Sequence, residues 1–547
     1  MIKRNNKKGF TIVELVIVIA VIAILAAVLI PTFAGIIKKA NISADTQLCK
    51  NMNTALSMAK AEGKSVDTME DVLFAINEAG YVIENLNPTT EGYYFAWDEV
   101  NDQILFLNNE FAVHYPEDAT LDAAKCWITV GDAAEAATVA AKGFALYLEP
   151  NFEGPLTLTS LVSVDAGANA GVDLDINNAE TKTIDIRGSF DEVTLAAAGA
   201  HINQYGVANK VTGTVAKNTF VINGFVQTLE LSSGKVEVAA TGVVNTYASA
   251  TDVEFASTSK GIVVNGAPAG YTSAANVTIN NKAELEAFRD IVNGGYDYDD
   301  ITVTLNADID LAGVAWLPIG NFYRDTVVDG EEVDNTFYGF KGTFDGNGHT
   351  IKNLSNEGFS VVGLTFGSNK TTPAGCTEAV YGLFGTVIDA EIKNLTVTAN
   401  INMAQEGNKL GDSVAAIVGF ASGSEFTMSN CSASGTIKGH DAVGGLVGRS
   451  YAKTNNISNS TNNAEVVSDK KAAGIIGYAS GSTTTMTKCD NKGNVTSLLD
   501  STTSNNAIAA SHVAIINSTD AKKTTLTDCT NSGKITCNKA AVAGDIK

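Results

Sequence analysis

The sequence predicts a multidomain chain: a long N-terminal α-helix with a small α+β head, followed by a β-solenoid that makes up most of the mass. Three observations predict it. An almost unbroken apolar run from Phe10 to Ile30 continues beyond Pro31 as an apolar stripe at three- and four-residue steps. Two aromatic or aliphatic runs then flank a polar turn near Asn101. Past about residue 150, glycines and short β-like runs recur at near-constant intervals, as stacked repeats do.

Composition fits a folded, turn-rich chain: 547 residues with 45% hydrophobic, 18% charged, 50 glycines and only 8 prolines are not those of a disordered protein. The net charge is −23. Nonspecific nucleic-acid binding relies on Lys and Arg neutralising phosphates, so no nucleic-acid partner is expected. The seven cysteines, Cys49, Cys126, Cys376, Cys431, Cys489, Cys529 and Cys537, are an odd count without a Cys-x-x-Cys pair.

Residues 1–9 form a leader. Lys3, Arg4, Lys7 and Lys8 precede Gly9, and the apolar run that follows is interrupted by Thr11 and one acid, Glu14. An ordinary secretory signal is cut after its apolar stretch, at small residues. Here the natural break, Gly9, lies before it, and cutting there leaves the helix on the mature chain with a net charge of −27. The span can cross a bilayer, which takes about 20 residues. A carboxylate in such a span costs on the order of 2.5–3.5 kcal/mol at the centre, less near an end, and marks a function. The stretch Gly9-Phe10-Thr11-Ile12-Val13-Glu14-Leu15 resembles the prepilin leader of type IV pilins and pseudopilins. The resemblance implies cleavage after Gly9 by a prepilin peptidase and N-methylation of Phe10. It implies that Glu14 pairs with the free amine of a neighbouring Phe10 in a filament core, and that Pro31 kinks the helix. The chain would sit in the inner membrane before assembly, then in a pilus or at the extracellular surface, with other pilin subunits as partners.

One helix is expected over 10–62, with 10–30 as membrane or filament core. Ala34, Ile37, Ala40, Ala44, Leu48, Met52, Leu56 and Ala59 form its stripe. The head is expected over 63–150. Asp67 to Glu70 start a second helix, Asp71 to Ala79, closed by Gly80. Tyr93 to Trp97 and Gln103 to Leu107 form a hairpin. A long helix followed by a small antiparallel sheet is what the pilin resemblance implies.

A first solenoid of 18-residue coils is expected over 151–275. Gly171, Gly188, Gly206, Gly224, Gly242 and Gly266 are separated by 17, 18, 18, 18 and 24 residues. Each coil is expected to turn on its glycine, which can take φ > 0. A second repeat region is expected over 276–547, opened by a helix from Lys282 to Val292 that caps a solenoid end against edge pairing. The blocks Ile301 to Leu311 and Phe340 to Leu354 resemble the opening of right-handed parallel β-helix domains in bacterial surface proteins of the pectate-lyase-like and GLUG-repeat kind.

Two phased elements then recur. The quartet Ile351-Lys352-Asn353-Leu354 returns at Ile392 to Leu395, Met428 to Cys431, Ile457 to Ser460, Met486 to Cys489 and Leu526 to Cys529. A glycine quartet spans Gly382 to Gly385, Ala416 to Gly419, Gly445 to Gly448, Gly474 to Gly477 and, degraded, Ala507 to Ala510. In the first quartet, residues one and four point inward if Asn makes the bend, because Asn tolerates the left-handed conformation. Asn353, Asn394, Asn430 and Asn459 would then stack as an amide ladder. Cys431, Cys489 and Cys529 would share a buried column with Leu354, Leu395 and Ser460, acting as small hydrophobes. If a disulfide forms, Cys529 and Cys537 are the pair.

Asp308, Asp310 and Asp345, near His349, are the acids that could serve glycoside hydrolysis. Asp345-Gly346-Asn347-Gly348 is, however, a turn sequence. The five histidines lack metal-ligand spacing. Hence no catalytic residue, cofactor or metal is expected; a calcium ion would find donors at Asp345, Asn347 or their neighbours. Tyr323, Phe337 and Tyr338 are candidate contacts to a glycan or protein ligand and could equally be packing residues. The expected function is a minor or tip pilin-like surface subunit displaying an adhesin-like module. The alternatives are a secretion-type pseudopilin and a surface-anchored polysaccharide enzyme.

Overall fold

The computed structural model describes residues 12–537 apart from 65, 82–85, 168–170, 313–315, 323–336, 357–364, 367–369, 372–379, 404–412, 499–511, 514 and 519–522. Helix α1, Ile12–Ala61, has 50 residues and therefore runs about 75 Å at 1.5 Å per residue. Helix α2, Met69–Glu78, begins at the Thr68 cap, whose hydroxyl accepts the Asp71 N–H at 3.2 Å. Strands β1, Tyr94–Asp98, and β2, Gln103–Leu107, pair antiparallel from Tyr94↔Leu107 to Asp98↔Gln103. The sheet adds β3, Val113–Tyr115, beside β2 and β4, Cys126–Val130, beside β1. Strand β5, Ala145–Leu148, follows helix α3, Ala133–Ala140, and lies parallel to β4.

Strands β1, β2, β4 and β5 are covered on both faces. Phe95, Trp97, Ile104, Phe106 and Trp127 pack with Met52, Leu56, Val72 and Ile76 of α1 and α2. Ala96, Leu105, Leu107, Ile128 and Leu146 pack with Ala136 and Val139 of α3. This is why they read as continuous apolar runs rather than alternating ones.

The same sheet runs on from β5 through Val164–Asp165, Thr183–Arg187, His201–Gln204, Val207–Ile222, Phe225–Val238 and Val243–Tyr247 to Ile262–Asn265, with every pairing parallel. The 18-residue step is visible in the register: Phe190 pairs with Ala208, Ala208 with Val226, and Val226 with Val244. The phased glycines do not all serve as expected. Gly171, Gly188 and Gly266 have positive φ, but Gly206, Gly224 and Gly242 do not. Those three are glycine because of close approach. A Cβ on Gly206 would lie 1.7 Å from the Gly188 carbonyl oxygen, and one on Gly224 would lie 2.1 Å from that of Gly206.

Helix α4, Lys282–Asn293, is capped by Asn281 and ends at Gly294. Its Phe288 meets Tyr298 and Phe340 edge-on at 5.0 and 5.5 Å. Leu285, Ile291 and Val292 share that cluster with Val207, Phe225, Val243 and Ile262 of the preceding sheet. Helix α4 thus lies between two β regions and covers the aromatic start of the second core.

In the second region the chain visits four sheets in a fixed order. One circuit runs Glu425–Ser429, Ser432–Gly439, Ala442–Gly444, Val447–Ser450, and the next begins at Thr454–Ser458. Each strand pairs parallel with its counterpart in the next circuit. Asn353, Asn394, Asn430 and Asn459 have φ of 58, 53, 54 and 48°, and Lys488 and Asp528 take the same corner at 54 and 53°. The first and fourth residues of the quartets from Ile351 to Cys489 are buried. Asn430 Nδ2 donates to Asn394 Oδ1 at 3.0 Å, and Asn394 to Asp345 at 2.9 Å. A second amide ladder, buried at Asn462 and Asn491 and half-buried at Asn531, escapes the sequence reading: Asn462 donates to Asn491 at 2.8 Å and Asn491 to Asn531 at 2.7 Å.

The glycine quartets fill a different need. A Cβ on Gly448 would lie 2.5 Å from the Val414 nitrogen, and one on Gly477 would lie 2.5 Å from the Val443 carbonyl carbon. Strands of adjacent sheets pack backbone against backbone there. The column Leu354, Leu395, Cys431, Ser460, Cys489, Cys529 is buried throughout. Each thiol donates to the carbonyl two residues earlier, Cys431 to Ser429 at 3.3 Å and Cys489 to Thr487 at 3.6 Å, as the Ser460 hydroxyl does to Ser458 at 2.8 Å. Cys529 is a free thiol, so it forms no bridge to Cys537.

Two measurements test this packing. Gly448→Ala should destabilise the second region by more than about 2 kcal/mol, since backbone must move. Gly481→Ala, left-handed at φ 68° but in open space, should cost only about 1–2 kcal/mol. Equal losses in urea unfolding would contradict the close approach. Burial pushes the thiols of Cys49, Cys126, Cys431 and Cys489 up to about 12. At pH 8 the thiolate fraction is then roughly 10⁻⁴, and mass spectrometry should find these four unmodified after native iodoacetamide treatment.

Candidate functional site

The chemistry-bearing end of α1 is built from a local contradiction. Its first half is a regular helix whose described side chains are largely exposed: Ile12 is 81% and Val13 66% exposed, and Ile17, Ile22, Leu25, Phe33 and Ile37 are each more than half exposed. From Ile12 to Ile30 the rise is about 28 Å, close to the roughly 30 Å hydrocarbon thickness of a bilayer. Left in water, each such side chain forgoes about 1.5–3 kcal/mol of burial. Glu14 lies in the first turn, where a carboxylate is favoured by the helix dipole. Pro31 lies inside α1, which continues through it. Gly9 and Phe10 fall outside the described residues.

The second half of α1 is held firmly. The Asp45 carboxylate accepts hydrogen bonds from the N–H and hydroxyl groups of both Thr89 and Thr90, at 3.0 and 2.8 Å for Thr89 and 2.9 Å for the Thr90 N–H. Asn53 pairs with the Ile104 backbone of β2 in both directions, at 2.9 and 2.7 Å. The buried face is Asp45, Cys49, Met52, Ala55, Leu56 and Ala59. The upper part of the expected stripe, Ala34, Ile37, Ala40 and Ala44, is exposed instead. The hydrogen-bonded seat for α1, formed by Thr89, Thr90 and Ile104, meets the helix at Asp45 and Cys49; before it, Ile42 packs partly against the same core and Lys38 lies over the Tyr93 ring, on a different face from the exposed Ala40 and Ala44.

The other sequence candidates lie elsewhere. Tyr323 falls outside the described residues. Phe337 and Tyr338 form a two-residue strand antiparallel to Asn321–Phe322. The three acids are engaged in turns and ladders. Asp308 accepts the Thr350 N–H at 3.0 Å and pairs with Lys352 at 3.0 Å, and these contacts, with His349, hold its carboxyl down at about 2. Asp310 accepts from Ala312 and Asn353, and Asp345 from Asn347 and Asn394. Among the described residues no group of three His, Cys, Asp or Glu is arranged for a metal. Sequence reasoning missed a group at Phe420, Arg449 and Tyr478. The signal was present: each follows the closing glycine of its quartet.

Comparison with known proteins points to the same end of the chain. Residues 4–30 match the family model described as the prokaryotic N-terminal methylation motif. A fimbrial protein of Moraxella nonliquefaciens is 30% identical over 115 residues, covering 18% of this chain and 74% of the relative. The type IV wide pilus major component PilA4 of Thermus thermophilus is 36% identical over 92 residues, covering 17% of this chain and 64% of the relative. The prepilin peptidase-dependent protein A of Clostridium perfringens is 28% identical over 88 residues, covering 16% and 63%. This chain spans under two thirds of the length of the latter two. A crystal structure of an immunoglobulin A1 protease candidate from Bacteroides ovatus matches at 17% identity and a TM-score of 0.30, covering 50% of this chain and 80% of its own. That likeness is too distant to carry an argument.

The seat of α1 can be tested on its own. Asp45→Ala leaves four donors without their acceptor and should weaken the contact by about 2–4 kcal/mol. Hydrogen exchange at the Thr89 and Thr90 amides should accelerate correspondingly; unchanged protection would show that Asp45 is not the clamp.

Proposed function

This chain belongs to the type IV fimbrial protein family, and on that premise we propose that it is a minor or tip-located subunit. Its helix joins a filament, and its β region is a right-handed parallel β-helix displayed as a binding module. The methylation motif implies processing by prepilin peptidase and assembly with other pilins. In this reading the cut falls after Gly9, Phe10 becomes the methylated first residue, and Glu14 meets the amine of a neighbouring Phe10.

One observation carries the proposal: the largely exposed first half of α1 belongs to a protein whose further strands run from Leu156 to Cys537. A shaft packs subunits side by side, and so bulky a region on each would crowd it. A rare or terminal place relieves the crowding and leaves the repeats facing outward, where stacked units offer extended binding surface. The fixed order in which the second region visits its four parallel sheets supports a β-helix. The module is taken to bind rather than to catalyse, because Asp308, Asp310 and Asp345 serve turns and ladders.

Immunogold labelling of sheared surface filaments tests this. Label is expected sparsely, at filament ends. Continuous label along the shaft, or label that remains with the cell membrane and never with filaments, would sink the proposal; the latter is what a secretion pseudopilin would give.

A further inference from the structure

The sheet that contains the glycine quartets carries a side-chain column that is buried at Thr386 and Phe420 and half-buried at Arg449 and Tyr478. Thr386 pairs with Phe420, Phe420 with Arg449, and Arg449 with Tyr478 on successive parallel strands. Val418, Val447 and Ile476, on the other side of each glycine, join the main apolar cluster, whereas Phe420, Arg449 and Tyr478 are not part of it. Tyr451 leans across the column, 5.5 Å from the Phe420 ring and 6.5 Å from the Tyr478 ring, and is 46% exposed. The Arg449 guanidinium lies 5.8 and 5.7 Å from the Tyr451 and Tyr478 ring centres, and Lys471 Nζ lies 4.4 Å from that of Tyr478.

Charge at this face runs against the chain as a whole. Asp441 is gripped by Arg449 at 2.7 Å and Lys471 at 2.9 Å. Burial alone would raise its carboxyl, but Lys471, then Arg449 and Lys470, hold it below its usual range. One carboxylate therefore faces three cations, and Asp469 is occupied by His440 at 2.9 Å. The excess is positive on a chain of net charge −23.

An exposed tyrosine offers a flat apolar face with a polar edge, which matches the C–H face and hydroxyl rim of a pyranose. The Arg449 guanidinium gives one amino group to Asp441 at 2.7 Å and the other to the Tyr451 hydroxyl at 3.3 Å, and its five N–H donors leave others for a ligand carboxylate. The column from Phe420 to Tyr478 spans two strand spacings, roughly 10 Å. That is the length of one or two sugar rings, and a patch of that width, roughly 100 Å², is far below the roughly 800 Å² per partner that a stable protein interface needs. We propose that Tyr451, Tyr478, Arg449 and Lys471 form a binding site for a carboxylate-bearing glycan, one sugar ring lying on Tyr451 and its carboxylate meeting Arg449 and Lys471. This deepens the binding-module reading above and rests on it.

The test uses the full chain in detergent, with polygalacturonate as probe and dextran and oligo-dT as comparisons, followed by biolayer interferometry. Polygalacturonate should bind and dextran should not. Tyr451→Ala should weaken binding roughly tenfold or more with an unchanged melting curve. Arg449→Lys, which keeps the charge but loses the fork, should also weaken it. No binding to polygalacturonate, binding unchanged in both variants, or equal binding to dextran or oligo-dT overturns the site. Filament labelling separates the two claims. A wild-type chain that labels filament ends but ignores polygalacturonate refutes the site alone, whereas absence from filaments refutes the reading beneath it.

Discussion

Backbone pressed against backbone is the constraint on which the β region depends. Parallel strands about 4.8 Å apart repeat every side-chain environment along the stack, so whatever is too large at one level is too large at all. Where the chain crosses from one sheet to the next, the room for a side chain vanishes. Gly419, Gly448 and Gly477 stand where an added Cβ would fall within 2.9 Å of a neighbouring main-chain atom. The corners impose the complementary demand, a left-handed residue with a side chain, met by Asn394, Asn430 and Asn459 and also by Lys488 and Asp528. Satisfying both at each circuit leaves inward positions free to vary between Leu395, Cys431 and Ser460.

Much of this was legible because the constraint acts on residue type. The corner quartets, the thiol column and α4 could be placed from sequence, since left-handed corners, inward positions and caps each restrict composition. What stayed hidden has physical reasons. The ladder through Asn462, Asn491 and Asn531 looks like ordinary polar sequence until the strands are stacked, when each amide satisfies the next. The glycines Gly206, Gly224 and Gly242 announce their spacing but not their cause, because torsion and clearance select the same residue. The stripe on α1 was continuous in sequence, yet Ala34, Ile37, Ala40 and Ala44 are exposed and only Leu48 to Ala59 meet the head core. An apolar period says that a face will be covered and not by what. Of the site residues, the acids were visible as acids, but their commitment to turns depended on distances between units.

The filament-forming helix and the repeats are not loosely joined. The sheet that receives α1 through Asn53 and Ile104 is the one that continues into the parallel strands as far as Asn265. A half-buried ion pair, Lys282 with Asp71 at 3.1 Å, ties α4 to α2 across 211 residues of sequence. An ion pair of this kind adds little net stability by itself, but losing one partner leaves the other uncompensated. The two contacts together orient the repeats relative to the helix.

The circuits around Met428, Ile457 and Met486 are each 29 residues apart and pair with neighbours through the same register. A segment of that length duplicated in the gene would slot between existing levels and present to each the surface it already meets. The reach of the molecule is therefore adjustable by about 4.8 Å per duplication. Gain or loss of such a unit lengthens or shortens it without redesigning either end.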